Sequence, residues 1–156
     1  MKSFTDDIIK YITNNFANDE SIGKKVKVDY AYNSDVSLKP PYIFVQAIND
    51  SDAEQFDTFD GVEMTYVPVQ ITAYCQQMKI DGVDYTANEV ALIFAEKIKS
   101  MFSKLKAISW NNNIRLMRRV GSTPSMPLKN GATTYFSPIR YDFYINNPYR
   151  EIQKGE

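Results

Sequence analysis

Between Thr86 and Leu105 the chain reads TANEVALIFAEKIKSMFSKL. Ala87, Val90, Ala91, Phe94, Ala95, Ile98, Met101, Phe102 and Leu105 recur every three or four positions, the spacing of one stripe on an α-helix. Thr86, followed three residues on by Glu89, forms a capping box that fixes where the helix starts. No Gly or Pro interrupts the run, which at 1.5 Å per residue would reach ~30 Å. Leu92 and Ile93 fall off the stripe, so an N-terminal helix or a second subunit is expected to cover them. A shorter stripe of Phe4, Ile8, Tyr11, Ile12 and Phe16 predicts a first helix from Ser3 to Phe16, with Ser3 and Asp6 as a second capping box.

Elsewhere the period falls to two. Lys25–Tyr30 alternates with Val26, Val28 and Tyr30 on one face, and Tyr42–Ile48 is nearly all apolar and suits a central strand. Pro40 and Pro41 close the loop between them. Val62–Gln76 alternates over fifteen residues, Val67, Val69, Ile71, Ala73 and Cys75 against Tyr66, Pro68, Gln70, Thr72 and Tyr74. As one strand it would be ~50 Å long, so its first part is expected to project as a hairpin arm with the acidic loop Asn49–Gly61 at its tip. Pro68 then needs an edge or a bulge. Lys79–Tyr85, with Asp81-Gly82, reads as a turn into the long helix, and Ala107–Asn113 as a loop carrying Trp110. Ile114–Val120 and Thr133–Ile145 close the chain as strands around a hairpin loop, with a polar tail after them. The predicted class is α+β in the order α-β-β-β-α-β-β: one mostly antiparallel sheet with helices packed on it, a single domain over 1–145 and a tail over 146–156.

A length of 156 residues and 44% hydrophobic content suit one domain with a real core. No apolar run approaches the ~20 residues that span a bilayer, and Asp6 and Asp7 break up any signal-peptide core. The lone cysteine, Cys75, excludes an internal disulfide, fits a reducing interior and is expected to be a buried thiol. Net charge is only −1, but it is unevenly spread. Pro40–Met78 carries six acids and no Lys or Arg; Lys97–Tyr141 carries nine Lys and Arg and no acid. The chain is electrically bipolar.

Histidine is absent, which removes the Ser-His and Cys-His dyads and the commonest metal ligand. Neither G-x-G-x-x-G nor a Walker loop is present. Asp50, Asp52 and Glu54 have the alternate spacing of a calcium loop, but Gln55 and Gly61 stand where that loop needs Gly and Glu. With Asp57 and Asp60 they read instead as a solvated loop or a subunit contact. No catalytic residue, metal or cofactor is expected. Arg115, Arg118 and Arg119 lie on a predicted strand among Tyr and Phe residues. Three readings stay open for them: single-stranded nucleic-acid binding, neutralisation of the acidic segment within one fold, or pairing with that segment on another copy. The last contact is head-to-tail and closes into a ring if the rotation permits.

These elements together resemble the tail terminator (tail completion, or head–tail joining) proteins of long-tailed bacteriophages. The likeness covers roughly Thr5–Ile145. It rests on TDDIIKYI, KPPYIFVQAI, the acidic hairpin before VPVQITAYC, the helix NEVALIFAEKIKSMF, and the closing strands NIRLMRRV and YFSPIRYDFYI. The resemblance implies a non-enzymatic virion protein, from phage or prophage, assembled in the bacterial cytoplasm. It implies a hexameric ring that caps the tail tube and meets the head connector, with DNA passing through without specific contact. Asp50, Asp52, Glu54, Asp57, Asp60, Leu92, Ile93, Arg115, Arg118 and Arg119 are then candidate subunit or lumen contacts, and an acidic lumen would avoid trapping phosphate. The alternative is an α+β module that binds single-stranded nucleic acid.

Overall fold

The structure, a computed structural model, describes residues 2–22, 26–30, 39–47, 55–57, 63–103, 109–129 and 133–146. The elements follow the order α1 (Lys2–Ala17), β1 (Lys27–Tyr30), β2 (Tyr42–Ala47), β3 (Gln55–Asp57), β4 (Glu63–Cys75), β5 (Met78–Ile80), β6 (Val83–Tyr85), α2 (Ala87–Met101), β7 (Ile114–Ser122), β8 (Met126–Pro127) and β9 (Tyr135–Asn146). The α+β class holds. The predicted order is kept, with the short strands β3, β5, β6 and β8 added to it.

The main sheet runs β1-β2-β4-β9-β7, with β3 on β4 and β8 on β9. Only β1 and β2 pair in parallel; every other contact in this sheet is antiparallel. β4 and β9 form its spine, in register from Met64↔Asn146 to Cys75↔Tyr135. The alternation in β4 falls as read: Val67, Val69, Ile71, Ala73 and Cys75 are buried under the helices. They meet Ile139, Tyr141, Phe143 and Ile145 of β9, which share that face and are buried with them. Each such side chain contributes about 1.5–3 kcal/mol of apolar burial, which is why the register is held so firmly.

The long strand is not the free arm expected from its length. β3 does fold onto it as a hairpin, Gln55↔Thr65 to Asp57↔Glu63, but β9 accompanies it throughout on the other side. A long strand needs no arm when its neighbour is equally long. Pro68 faces Asp142 of β9, and on its other flank it falls between the β3 pairing, which ends at Thr65, and the β2 pairing, which starts at Val69. Among the described residues that gap is the open edge that a residue without an N–H needs.

α2 starts at the predicted cap: Thr86 Oγ1 accepts from Glu89 N, and the Glu89 carboxylate accepts from Thr86 N. Val90, Ala91, Phe94, Ala95, Ile98, Met101 and Phe102 are buried as the stripe requires. The helix is shorter than read, because Phe102 caps its end through an N–H to Ile98 O; Leu105 lies outside the described residues. α1 buries Phe4, Ile8, Ile12 and Phe16, but it begins at Lys2, so Ser3 lies inside the helix rather than at its cap. The turn before α2 is a two-stranded hairpin, β5-β6, around Asp81 and Gly82 at φ 53° and 77°. Asp-Gly is the pair that tolerates two positive φ angles in a hairpin turn.

Trp110 stands in helical backbone over residues 109–110, not in an open loop. It stacks on Tyr11 of α1 at 4.5 Å and 10° and meets Phe102 edge-on at 5.9 Å. Tyr11 also donates to Met101 O, so this cluster ties α1 to the end of α2.

Candidate functional site

Both helices cover the same face of the sheet, and among the described residues no helix covers the other. Period-two alternation decides what stands there: Tyr42, Phe44 and Gln46 from β2, Tyr66, Pro68, Gln70, Thr72 and Tyr74 from β4, and Phe136, Pro138, Arg140, Asp142 and Tyr144 from β9. An antiparallel sheet with one solvated face normally shows polar residues on it. This face instead carries six aromatic rings, all of them half-buried.

The rings lean on one another across strands. Tyr42 and Tyr74 lie face to face at 4.8 Å, Tyr66 and Tyr144 at 5.2 Å, and Phe44 packs on Tyr74 at 5.5 Å. Each such stack takes up one face of a ring and leaves a base only the other. Burial raises the phenol pKa values of Tyr42, Tyr66 and Tyr74; at Tyr66 a hydrogen bond to Asp142 adds to it.

In the middle of the face lies a polar knot. The Asp142 carboxylate is almost fully buried. It accepts from Tyr66 OH at 3.0 Å and pairs with Arg118 at 3.3 Å, while Arg140 Nε stands 3.8 Å away. Two guanidinium groups share one carboxylate, so the knot is left with a surplus positive charge. Arg140 Nε is shielded from solvent and has no hydrogen-bond partner.

The three arginines of β7 do not form one row. Register shifts lie between Ile114 and Leu116 and between Arg119 and Gly121. Arg118 faces Asp142 on the helix-free side; Arg119 pairs with Tyr141 on the helix side; Arg115 Nε donates to Asn146 Oδ1. Tyr141 is pushed up to about 12 by burial, against a small opposing pull from Arg119. β7 is also a sheet edge, and bulges with charged residues are how edges resist indiscriminate pairing.

Asp50, Asp52, Glu54 and Asp60 lie outside the described residues, and Asp57 is placed only by its backbone in β3. β3 sits on the side of β4 away from β9 and β7. Three strand spacings, about 14 Å, therefore separate its backbone from β7. Among the described side chains, basic residues pair with Asp19, Glu96 and Asp142. Leu92 is exposed, whereas Ile93 is half-buried against the core, so the two apolar residues off the helix stripe have different environments. Leu116, Val120 and Leu128 also stand exposed, on or beside the β7–β8 edge.

The tyrosine–aspartate–arginine knot was not singled out in the sequence. Its signal was there: Asp142 follows immediately after the acid-free run ends. Cys75 is the buried thiol expected, raised to about 12 by desolvation. Among the described residues no group of three or more His, Cys, Asp or Glu could hold a metal, and no helix is long and apolar enough to cross a membrane. No protein-family model and no curated protein sequence matches this chain.

Proposed function

We propose that this chain is a structural assembly protein: a ring-forming tail terminator of a long-tailed bacteriophage or prophage. In that role six copies cap the tail tube, meet the head connector and let DNA pass without specific contact. The observation that carries the reading is the helix-free sheet face. It presents six aromatic rings and a buried carboxylate with surplus positive charge, and nothing in the described chain covers it. A face of this kind suits contact with protein, because aromatic and Arg side chains are what interface centres are rich in. The exposed Leu116, Val120 and Leu128 extend it toward the β7 edge. The backbone of β3, which carries Asp57, lies apart from β7 in one copy, which supports head-to-tail contact. The element order behind the resemblance supports the tail-terminator form of assembly.

The test is mass against concentration by light scattering, together with electron microscopy of a gene deletion. The reading expects a six-chain species and tails of uncontrolled length in the deletion. A monomer at every concentration with tails of normal length refutes it.

A further inference from the structure

The Met64 end of the main sheet is a four-stranded antiparallel ribbon, and among the described residues both of its edges are open. Gln55, Thr65, Ile145 and Ile114 stand in one row across β3, β4, β9 and β7. β3 closes that row on one side, where β4 is its only described partner; β7 closes it on the other, where β9 is. Every pairing along the row is antiparallel, so β3 and β7 run in opposite directions. Three strand spacings, about 14 Å, keep them from meeting in one copy. A second copy laid alongside in the same orientation brings its β3 against this β7 and continues the antiparallel alternation. We propose that copies of this chain join in this way, β3 of one pairing with β7 of the next. The register sets Gln55 opposite Met117, Phe56 opposite Leu116 and Asp57 opposite Arg115. Each copy spends one edge on each neighbour, so the contact is head-to-tail and can close. The proposal rests on the ring reading above and names the contact that closes it.

Three observations select a second copy's β3 as the occupant of the β7 edge. First, the charges are complementary: β7 carries Arg115, Arg118 and Arg119 and no acid, while β3 carries Asp57 and no base. The register within one copy also sets Asp57 directly opposite Glu63 of β4, two acids at one level, which destabilises a sheet. A basic strand on the outer edge of β3 offsets that repulsion. Second, the proposed register matches the faces. Phe56 pairs with Met64, two residues before Tyr66, and Leu116 pairs with Tyr144, so both positions belong to the helix-free side. Leu116 is 50% exposed in the single copy, and an aromatic residue opposite it makes a favourable cross-strand pair. Third, β7 is a poor partner for a second β7. Antiparallel pairing centred on Met117 sets Arg115 opposite Arg119, and pairing centred on Arg118 sets that residue opposite itself.

Cysteine cross-linking reads the contact directly. Directly opposed strand residues have Cα atoms about 4.5–5.5 Å apart, within disulfide reach, and the native Cys75 is buried away from the reaction. Under a mild oxidant F56C/L116C should give a ladder of linked chains on a denaturing gel. A mixture of F56C with L116C should stop at two-chain products, and neither variant alone should be linked. Charge reversal is the second measurement, with sedimentation for mass and circular dichroism as the check on folding. R115E and D57K should each raise the concentration needed for assembly about tenfold, and R115E/D57K should return it to within about threefold of the wild type. Wild-type rings with no linked chains from F56C/L116C overturn the β3–β7 joint while the ring reading stands. L116C that links to itself also overturns it, by giving β7 to a two-fold contact. A double charge reversal that assembles no better than either single variant does the same. A wild-type chain that is monomeric throughout removes the ring reading, and this proposal with it.

Discussion

Replacing Asp142 gives a graded test of the knot on the helix-free face. The carboxylate side chain is 4% exposed, with Arg118 at 67% and Arg140 at 42%. Asp142→Ala removes three relationships of unequal worth. The Tyr66 phenol loses a charged acceptor at 3.0 Å, worth about 1.5–3 kcal/mol when the donor is partly buried. Arg118 loses an exposed ion pair, worth about 0–1 kcal/mol because water rehydrates it. Arg140, whose side chain is partly exposed, loses its nearest counter-charge. The expected loss is about 2–4 kcal/mol, a fall of about 1–2 M in the urea midpoint. Asp142→Asn preserves an acceptor for Tyr66 and should lose only about 1–2 kcal/mol. Tyr66→Phe should then destabilise the wild type by about 1 kcal/mol more than it destabilises Asp142→Ala. Urea unfolding of the four chains closes the cycle. If Asp142→Ala loses under about 0.5 kcal/mol, or the two substitutions add within that margin, the knot carries no coupling and the reasoning fails.

Thr86→Ala removes the capping box of α2 and should destabilise the chain by about 1 kcal/mol in the same assay. Cys75 should resist a thiol reagent at pH 8 in the folded chain and react at once in urea, because its thiol is buried and raised to about 12. Its folded pKa lies above the unfolded value of 9.0, so its stabilising contribution is intact below pH 9 and fades as pH rises toward 12. Cys75→Ala should therefore flatten the alkaline fall in stability. Asp19 is lowered by hydrogen bonds from Ser21 and then from Lys97, whose ammonium also lies 5.2 Å from the centre of the Phe16 ring. Its stabilisation is present above the ordinary carboxylate pKa of 3.8 and lost as pH falls through the lowered value, so Lys97→Met should weaken the acid dependence in that range.

The elements that could be read from the chain were those whose own residues decide them. Val90, Phe94 and Ile98 recur on one helical stripe, Thr86 and Glu89 cap it, and the alternation of Val67 to Cys75 needs no partner to be recognised. What escaped was set between strands. β3 has three residues and exists because β4 offers it an edge. The parallel pairing of β1 with β2 leaves no local signature. The site was legible only in part. A charge tally along the chain placed nine basic residues in an acid-free run, yet strand register sets Asp142 beside Arg118 and sends Arg119 to the opposite face.

β9 is the last of the described strands along the chain, and it lies between β4 and β7. Its partners on β4 stand 60 to 82 positions earlier. During synthesis the ribosome must therefore hold β4 and β7 without the strand that joins them, their edges open to other chains. Folding waits for Tyr135–Asn146, and a released chain truncated before Tyr135 should be cut by protease across β4 and β7 alike. A central strand that follows both its neighbours in the chain makes its docking the step at which this fold closes or aggregates.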